Sequence, residues 1–265
     1  MYSAASLFFK YLKYRIISLN GKGHGTHSPF VYAFIKNVLN NKRNCNEYAP
    51  IELIRKQLLQ DNSVLNITDF GAGSRGQAIK KKSIKFIAAA SLKPKKYGQL
   101  LYRMVAHFGP QRVLELGTSL GITTAYLATA NPLAKVYTLE GAKEVAGIAE
   151  NNFGQLGLKN IQIVVGNFDD TLAPLLSNID SLDFVFVDGN HRYEPTIHYF
   201  QQLKPKMKAD SILIFDDIHW SQEMEAAWKT IKEDPSITIS IDLFFIGIVF
   251  FRKENKVKQH FSISF

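Results

Sequence analysis

Two acids frame a glycine turn in a pattern suited to a nucleoside. Glu115, Gly117 and Gly121 fall within Arg112-Val-Leu-Glu-Leu-Gly-Thr-Ser-Leu-Gly121, and Glu140 ends a second apolar run, Lys135-Val-Tyr-Thr-Leu-Glu140, about twenty residues on. A glycine at 117 lets the backbone come close to a ligand, and a carboxylate at 140 can accept hydrogen bonds from both ribose hydroxyls. The spacing disfavours a dinucleotide. A pyrophosphate loop reads Gly-x-Gly-x-x-Gly, whereas Glu115-x-Gly117-x-x-x-Gly121 places an acid where phosphate would be repelled. Glu115 suits a ligand carrying an ammonium group, with Thr118 and Ser119 of the turn as further contacts. Further along stand Gly166-Asn167-Phe168, Asp188-Gly-Asn-His191 and Asp216-Asp217-Ile-His219. Asn167 offers a nucleoside base a polar edge and Phe168 a stacking face. Asp188, Asp216 and Asp217 are hard oxygen donors of the kind that bind Mg²⁺, Ca²⁺ or Mn²⁺. His191 and His219 carry an imidazole that titrates near neutrality and can act as a general base.

These residues need a frame that brings strand ends together. Apolar runs predict strands over Arg112–Gly117, Lys135–Glu140, Ile161–Gly166, Ser181–Asp188 and Ser211–Ile218. Helical patterns lie between them, near Ser119–Ala130, Ala142–Leu156, Asp169–Leu176 and Tyr193–Met207, the last with Pro195 in its first turn. A continuous apolar run such as Asp183-Phe-Val-Phe-Val-Asp188 fits a parallel sheet covered on both faces. After a helix near Gln222–Glu233, the runs Ile237–Phe244 and Gly247–Lys253 are too close for a crossover and must pair as a hairpin. Val257–Phe265 is a candidate edge strand. The result is an α/β fold: five parallel strands and a terminal hairpin, preceded by an α-helical appendage.

With this order of elements, the Glu-Leu-Gly-Thr-Ser-x-Gly wording resembles the class I S-adenosylmethionine-dependent methyltransferases, and within them the catechol-type, metal-assisted O-methyltransferases. The resemblance covers about Tyr97 to Lys253. It implies a Rossmann-like seven-stranded sheet whose last strand runs antiparallel. It also implies S-adenosylmethionine as cofactor, at Glu115, Gly117, Thr118, Ser119, Gly121, Glu140, Gly166, Asn167, Phe168 and Asp188. The sheet order of the family makes the ends carrying Asp188, Asp216 and Asp217 converge, and catechol-type enzymes place Asp, Asp and Asn there to bind magnesium. Asp217 departs from that pattern, so the metal stays open among Mg²⁺, Ca²⁺ and Mn²⁺. His191 stands where those enzymes carry a catalytic lysine, and His219 is its rival as base. His191 also has supporting and purely structural readings, and each acid could instead cap the following helix.

Residues 1–95 read as the helical appendage and 96–265 as the cofactor-binding domain. Helical patterns run near Ser3–Leu19, Ser28–Asn40, Ile51–Gln60 and Gln77–Leu92. Two glycine-rich loops stand out: Asp69–Gly76 is a candidate lid or substrate loop, with a direct cofactor role as the alternative, and Gly21–Pro29 carries His24 and His27, which read as ligand binders or, more commonly for a lone His-x-x-His, as capping and loop-packing residues. Together they resemble little-described bacterial methyltransferases. Hydrophobic content of 46% and 21% charged residues fit a globular protein, and no apolar run reaches the ~20 residues that span a bilayer. Met1–Asn20 is amphipathic but too interrupted by Lys10, Lys13 and Arg15 for a secretory signal. Cys45, the single cysteine, excludes an internal disulfide and fits a reducing cytoplasm. The net charge of +9 gathers in runs such as Lys80-Lys81-Lys82 without a nucleic-acid-binding motif.

The function expected from the sequence is O-methylation of a small molecule with divalent-metal help. One alternative is a metal-independent methyltransferase acting on nucleic acid. Against it, Asp188-Gly-Asn-His191 stands where exocyclic-amine enzymes carry an Asn-Pro-Pro-Tyr type of tetrapeptide. Another is a non-catalytic cofactor-binding partner protein at an anionic membrane surface, touching it weakly and peripherally through Met1–Asn20. The aromatic hairpin Leu243–Phe251 would also suit packing in a homodimer.

Overall fold

The computed structural model describes residues 1–19, 21, 23, 27–41, 45–68, 79–255 and 257–265. Helices α1 (Ala4–Ile17) and α2 (Pro29–Phe34) come first, and a π-helical turn, Ile35–Leu39, joins the end of α2. After α3 (Tyr48–Leu58) come the strands β1 (Val64–Thr68) and β2 (Ile79–Ser83), then α4 (Ile84–Ser91) and α5 (Lys95–Phe108). Strands and helices then alternate: β3 (Arg112–Leu116), α6 (Ile122–Ala130), β4 (Lys135–Glu140), α7 (Lys143–Gln155), β5 (Ile161–Val165) and α8 (Phe168–Ser177). The alternation continues with β6 (Leu182–Val187), α9 (Tyr193–Leu203), β7 (Met207–Asp216) and α10 (Gln222–Glu233). Strands β8 (Ile239–Asp242), β9 (Ile246–Phe250) and β10 (Gln259–Ser262) complete the order. Strands β3 to β10 belong to one eight-stranded, mostly parallel sheet.

The chain divides into two compact units, one made of Lys42–Asn178 and the other of Met1–Asn41 with Ile179–Phe265. This division falls elsewhere than the expected boundary at 95/96. The reason lies in packing: in the first unit α3 lies against α6, where the Tyr126 hydroxyl donates to Glu52 at 2.7 Å. In the second, the Tyr2 N–H donates to the Trp220 carbonyl at 3.0 Å.

Within Lys42–Asn178, β3, β4 and β5 pair in parallel, in that order. Val113, Leu114 and Leu116 of β3 are wholly buried, as a strand covered on both faces requires. Helix α6 is buried from Ile122 to Ala128, and α5 presses on it so closely that a Cβ at Gly98 would lie 2.7 Å from the Tyr126 ring. Gly109, at φ 60, ends α5 in the left-handed conformation that glycine adopts without strain. In place of a helix over Gln77–Leu92, the structure has β2 paired antiparallel with β1, Val64 opposite Ser83, and only then α4. The Ser83 hydroxyl starts that helix by accepting the Phe86 N–H at 3.2 Å.

Within the second unit the strand order is β10-β8-β9-β7-β6. Strands β6 and β7 run parallel, while β9 pairs antiparallel with both β7 and β8, forming the expected hairpin. Strand β10 pairs parallel with β8 and supplies the eighth strand. Helix α9 stops at Leu203 rather than Met207. Pro205, which lacks an N–H, sits in the short 3₁₀ turn that follows. Among the described residues no helix is long and apolar enough to cross a membrane.

Candidate functional site

The expected cofactor contacts, apart from Asp188, gather at the carboxyl ends of β3, β4 and β5. Directly after β3, Gly117 takes φ 106, and the N–H groups of Gly117 and Thr118 both donate to the Leu139 carbonyl at 3.0 Å. Ser119 holds φ 47, a left-handed conformation uncommon outside glycine. Its N–H donates to Glu140 Oε2 at 2.8 Å, and the Ala142 N–H donates to Oε1 at 2.9 Å. Glu140 is therefore pinned by two loops. A carboxylate offers about four acceptor sites, so these backbone bonds leave Glu140 with capacity to accept from a ribose hydroxyl. Burial pushes the Glu140 pKa up, against the opposing bonds from Ala142, Ser119 and Gly141.

Glu115 sits fully buried in β3, and its Oε2 accepts the hydroxyls of Thr138, at 2.7 Å, and Thr124. Thr138 in turn bonds the Thr118 hydroxyl at 2.6 Å. These bonds tie Glu115 to β4 and α6 and hold the turn. Gly121, at φ 80, opens α6 without a side-chain cap, and a Cβ there would lie 2.6 Å from the Phe153 ring. Gly166, at φ 141, donates its N–H to the Glu140 carbonyl at 2.9 Å. Asn167 caps α8 through Oδ1, which accepts the Asp169 N–H at 3.3 Å, and Phe168, partly exposed, is the first residue of that helix.

A second group forms at the ends of β6 and β7. Asp188, His191 and Asp216 each bring one ligand atom within 4.8 Å of the others. Asp216 is 2% exposed, and His191 Nε2 lies 3.6 Å from Asp188 Oδ1, an ion-pair distance rather than a hydrogen bond. Asn190 makes this possible. At φ 52 it turns the chain back, and its Oδ1 accepts the Arg192 guanidinium at 2.9 Å while its Nδ2 donates to the Tyr199 hydroxyl at 3.3 Å. Asp217, expected as the third carboxylate, is outside this group, and its own φ is 52. The donor set is thus two carboxylates and an imidazole. It fits a divalent ion, and the nitrogen suits Mn²⁺ better than Ca²⁺. The Asp-x-x-His spacing was visible in the sequence as a base beside an acid; that the imidazole could be a ligand was not.

His219 occupies a different setting. Its Nδ1 lies 3.0 Å from Glu225 Oε1 and its Nε2 2.8 Å from Asp242 Oδ2, with the ring stacked on Phe244 at 5.1 Å. Burial alone lowers its pKa, but the bonds and charges of Asp242 and Glu225 together outweigh it and hold the imidazole above its ordinary value. Both ring nitrogens of His219 are thus engaged by carboxylates of the fold, outside the Asp188, His191 and Asp216 group. Tyr2 at 2.7 Å and Lys10 at 2.9 Å also reach Glu225, partners that no local pattern announces. His24 and the Asp69–Gly76 loop lie outside the described residues.

Known proteins resemble this chain in part of its sequence and in fold. The family described as a methyltransferase domain matches residues 114–218, from β3 to just beyond Asp217. An O-methyltransferase of Aspergillus flavus is 30% identical over 132 residues, covering 48% of this chain and 50% of that protein. Residues 114–218 thus match a methyltransferase domain. Catechol O-methyltransferase B of Danio rerio is 33% identical over 95 residues, 34% of this chain and 36% of that protein. The matches thus span half or less of these two relatives. In fold, this chain resembles an S-adenosylhomocysteine-bound methyltransferase of Podospora anserina, with TM-score 0.59 at 12% identity over 96% of this chain and 98% of that one.

Proposed function

We propose that this protein transfers the methyl group of S-adenosylmethionine to a hydroxyl of a small molecule, with a divalent metal held by Asp188, His191 and Asp216. The observation that carries the metal is the gathering of two acids and an imidazole at the ends of β6 and β7. Two carboxylates that close repel each other unless a cation joins them. The similarity to a catechol O-methyltransferase supports the same reading. Glu140, held by the N–H groups of Ser119 and Ala142, takes the ribose hydroxyls. Gly117 keeps that approach clear of a side chain.

The transfer is an in-line displacement. The acceptor oxygen bonds to the methyl carbon as the carbon–sulfur bond breaks, and sulfur leaves with the electron pair as a neutral thioether. The hydroxyl proton is lost to water. When bound, the ion lowers the pKa of that hydroxyl and fixes its direction. Positioning supplies much of the rate, since methyl transfer needs the oxygen about 3 Å from the carbon and in line with sulfur. The single cysteine fits a reducing, cytoplasmic setting.

A second reading rests on the 3.6 Å approach of His191 to Asp188, which would orient the imidazole as a metal-free general base. Turnover measured after chelation separates the two. Loss restored by Mn²⁺ or Mg²⁺ supports the metal; full turnover after chelation, abolished in His191→Asn, replaces it with the base.

A further inference from the structure

We propose that α1 is a membrane-contact helix that seats this protein on an anionic lipid surface. The helix is not a loose tail, because its inner face is fixed to the second unit. Tyr14 is buried with its hydroxyl on the Ile263 carbonyl, Tyr11 meets the Phe244 ring at 5.1 Å, and Lys10 pairs with Glu225 at 2.9 Å. Docking this way settles which face is turned outward, and that face is apolar. Phe8 is 61% exposed, Phe9 67%, Leu12 47% and Ile16 76%. At about 100° per residue these four, with Ala5, occupy an arc of about 100° on the side opposite Tyr14. Exposed Arg15 borders the arc on one side and exposed Lys13 on the other. Long basic side chains at the rim of an apolar stripe can reach lipid headgroups while the stripe enters the acyl boundary.

Charge identifies the occupant. Residues 1–46 hold seven lysines and arginines and no acid, the first carboxylate being Glu47. A protein partner or a second copy would gain from the aromatic stripe but would meet two basic rims on each helix. An anionic bilayer satisfies both the stripe and the rims. A nucleic acid would satisfy the rims alone and leave Phe8, Phe9, Leu12 and Ile16 in water.

The test is sedimentation of the whole protein with vesicles of about one-third phosphatidylglycerol in phosphatidylcholine, against pure phosphatidylcholine, at about 0.1 M and 0.5 M salt. Expected is binding to the anionic vesicles at low salt, at least tenfold stronger than to neutral vesicles or at high salt. Phe8→Asp with Leu12→Asp should lower it at least tenfold with the melting temperature unchanged, and Lys13→Gln with Arg15→Gln severalfold. Absence of vesicle binding overturns the proposal, as does equal binding by the Phe8→Asp, Leu12→Asp variant. So does a wild-type dimer in solution that this variant turns into a monomer, which would assign the face to a second copy.

Discussion

The strand ends of the two units handle negative charge in opposite ways. At β3 and β4, each acid is tied to donors of its own fold: Glu140 to the N–H groups of Ser119 and Ala142, Glu115 to the hydroxyls of Thr124 and Thr138. At β6 and β7, Asp188 and Asp216 are brought toward each other and toward His191. Both regions use non-glycine residues in the left-handed conformation to do it, Ser119 in one, Asn190 and Asp217 in the other. Such conformations cost about 1 kcal/mol or more each and persist where surrounding structure holds them. The difference separates two tasks. A carboxylate fixed by backbone donors is a ready acceptor for neutral hydroxyls, whereas two acids and an imidazole drawn together suit a cation.

Removing the charge from the second region should have the largest effect. Asp188→Asn with Asp216→Asn should lower kcat by about 10³-fold, several kcal/mol of lost positioning and charge stabilisation, with cofactor affinity changed little. A parallel loss of cofactor affinity in calorimetry would show that the two regions do not divide the work this way. The converse is expected of Glu140→Ala. It removes the acceptor for two hydroxyls, and hydrogen bonds to a charged group contribute about 1.5 kcal/mol or more each, so affinity should fall about 100-fold. Acid should mimic this change. The Glu140 pKa is raised, so its carboxylate is lost as pH falls through a value above the ordinary glutamate one. Cofactor affinity should decline there in wild type and stay flat in Glu140→Gln.

The cofactor side was the more legible of the two in the sequence, for a physical reason. Gly117, Gly121 and Glu140 lie within one strand-turn-helix-strand segment, where spacing along the chain determines spacing in space. Apolar runs marked β3 to β7 for the same reason; β3, β4 and β6 are largely buried, while β5, at the end of the strand order, is only partly covered. Pairing across long separations is different. The Lys80-Lys81-Lys82 run read as helix because its strand partner, Asn66 opposite Lys81, comes from a stretch before the loop. The partners of His219 were hidden for the same reason, since Glu225 and Asp242 reach it from α10 and β8. Likewise Asp217, adjacent to Asp216, was grouped with it by sequence, and only the backbone turn at φ 52 separates the two.

The next effect is on stability and tests the cofactor side alone. Gly121→Ala should destabilise the protein by about 2 kcal/mol, because it adds a Cβ 2.6 Å from the Phe153 ring at a φ of 80 that alanine disfavours. Thermal unfolding measures this. A companion Phe153→Leu change that fails to recover any stability would place the cost in the backbone rather than in the contact.

The smallest effect concerns His219, which belongs to the same unit as the Asp188 group yet answers to the opposite logic: here a cation is fixed between acids. Its folded pKa is raised, so the imidazolium contributes stability fully below the ordinary histidine value of about 6.5. That contribution disappears as pH rises through the higher folded value. His219→Gln should therefore lower the melting temperature by about 2 to 4 °C in mild acid, on the order of 1 kcal/mol for a half-screened pair. The gap between wild type and variant should narrow steadily in alkali. A gap that stays constant with pH would assign the stabilisation to stacking on Phe244 instead of charge. In that case His219 would be a packing residue, and the contrast between a region that fixes charge with protein groups and one suited to an external cation would rest on Glu140 and Glu115 alone.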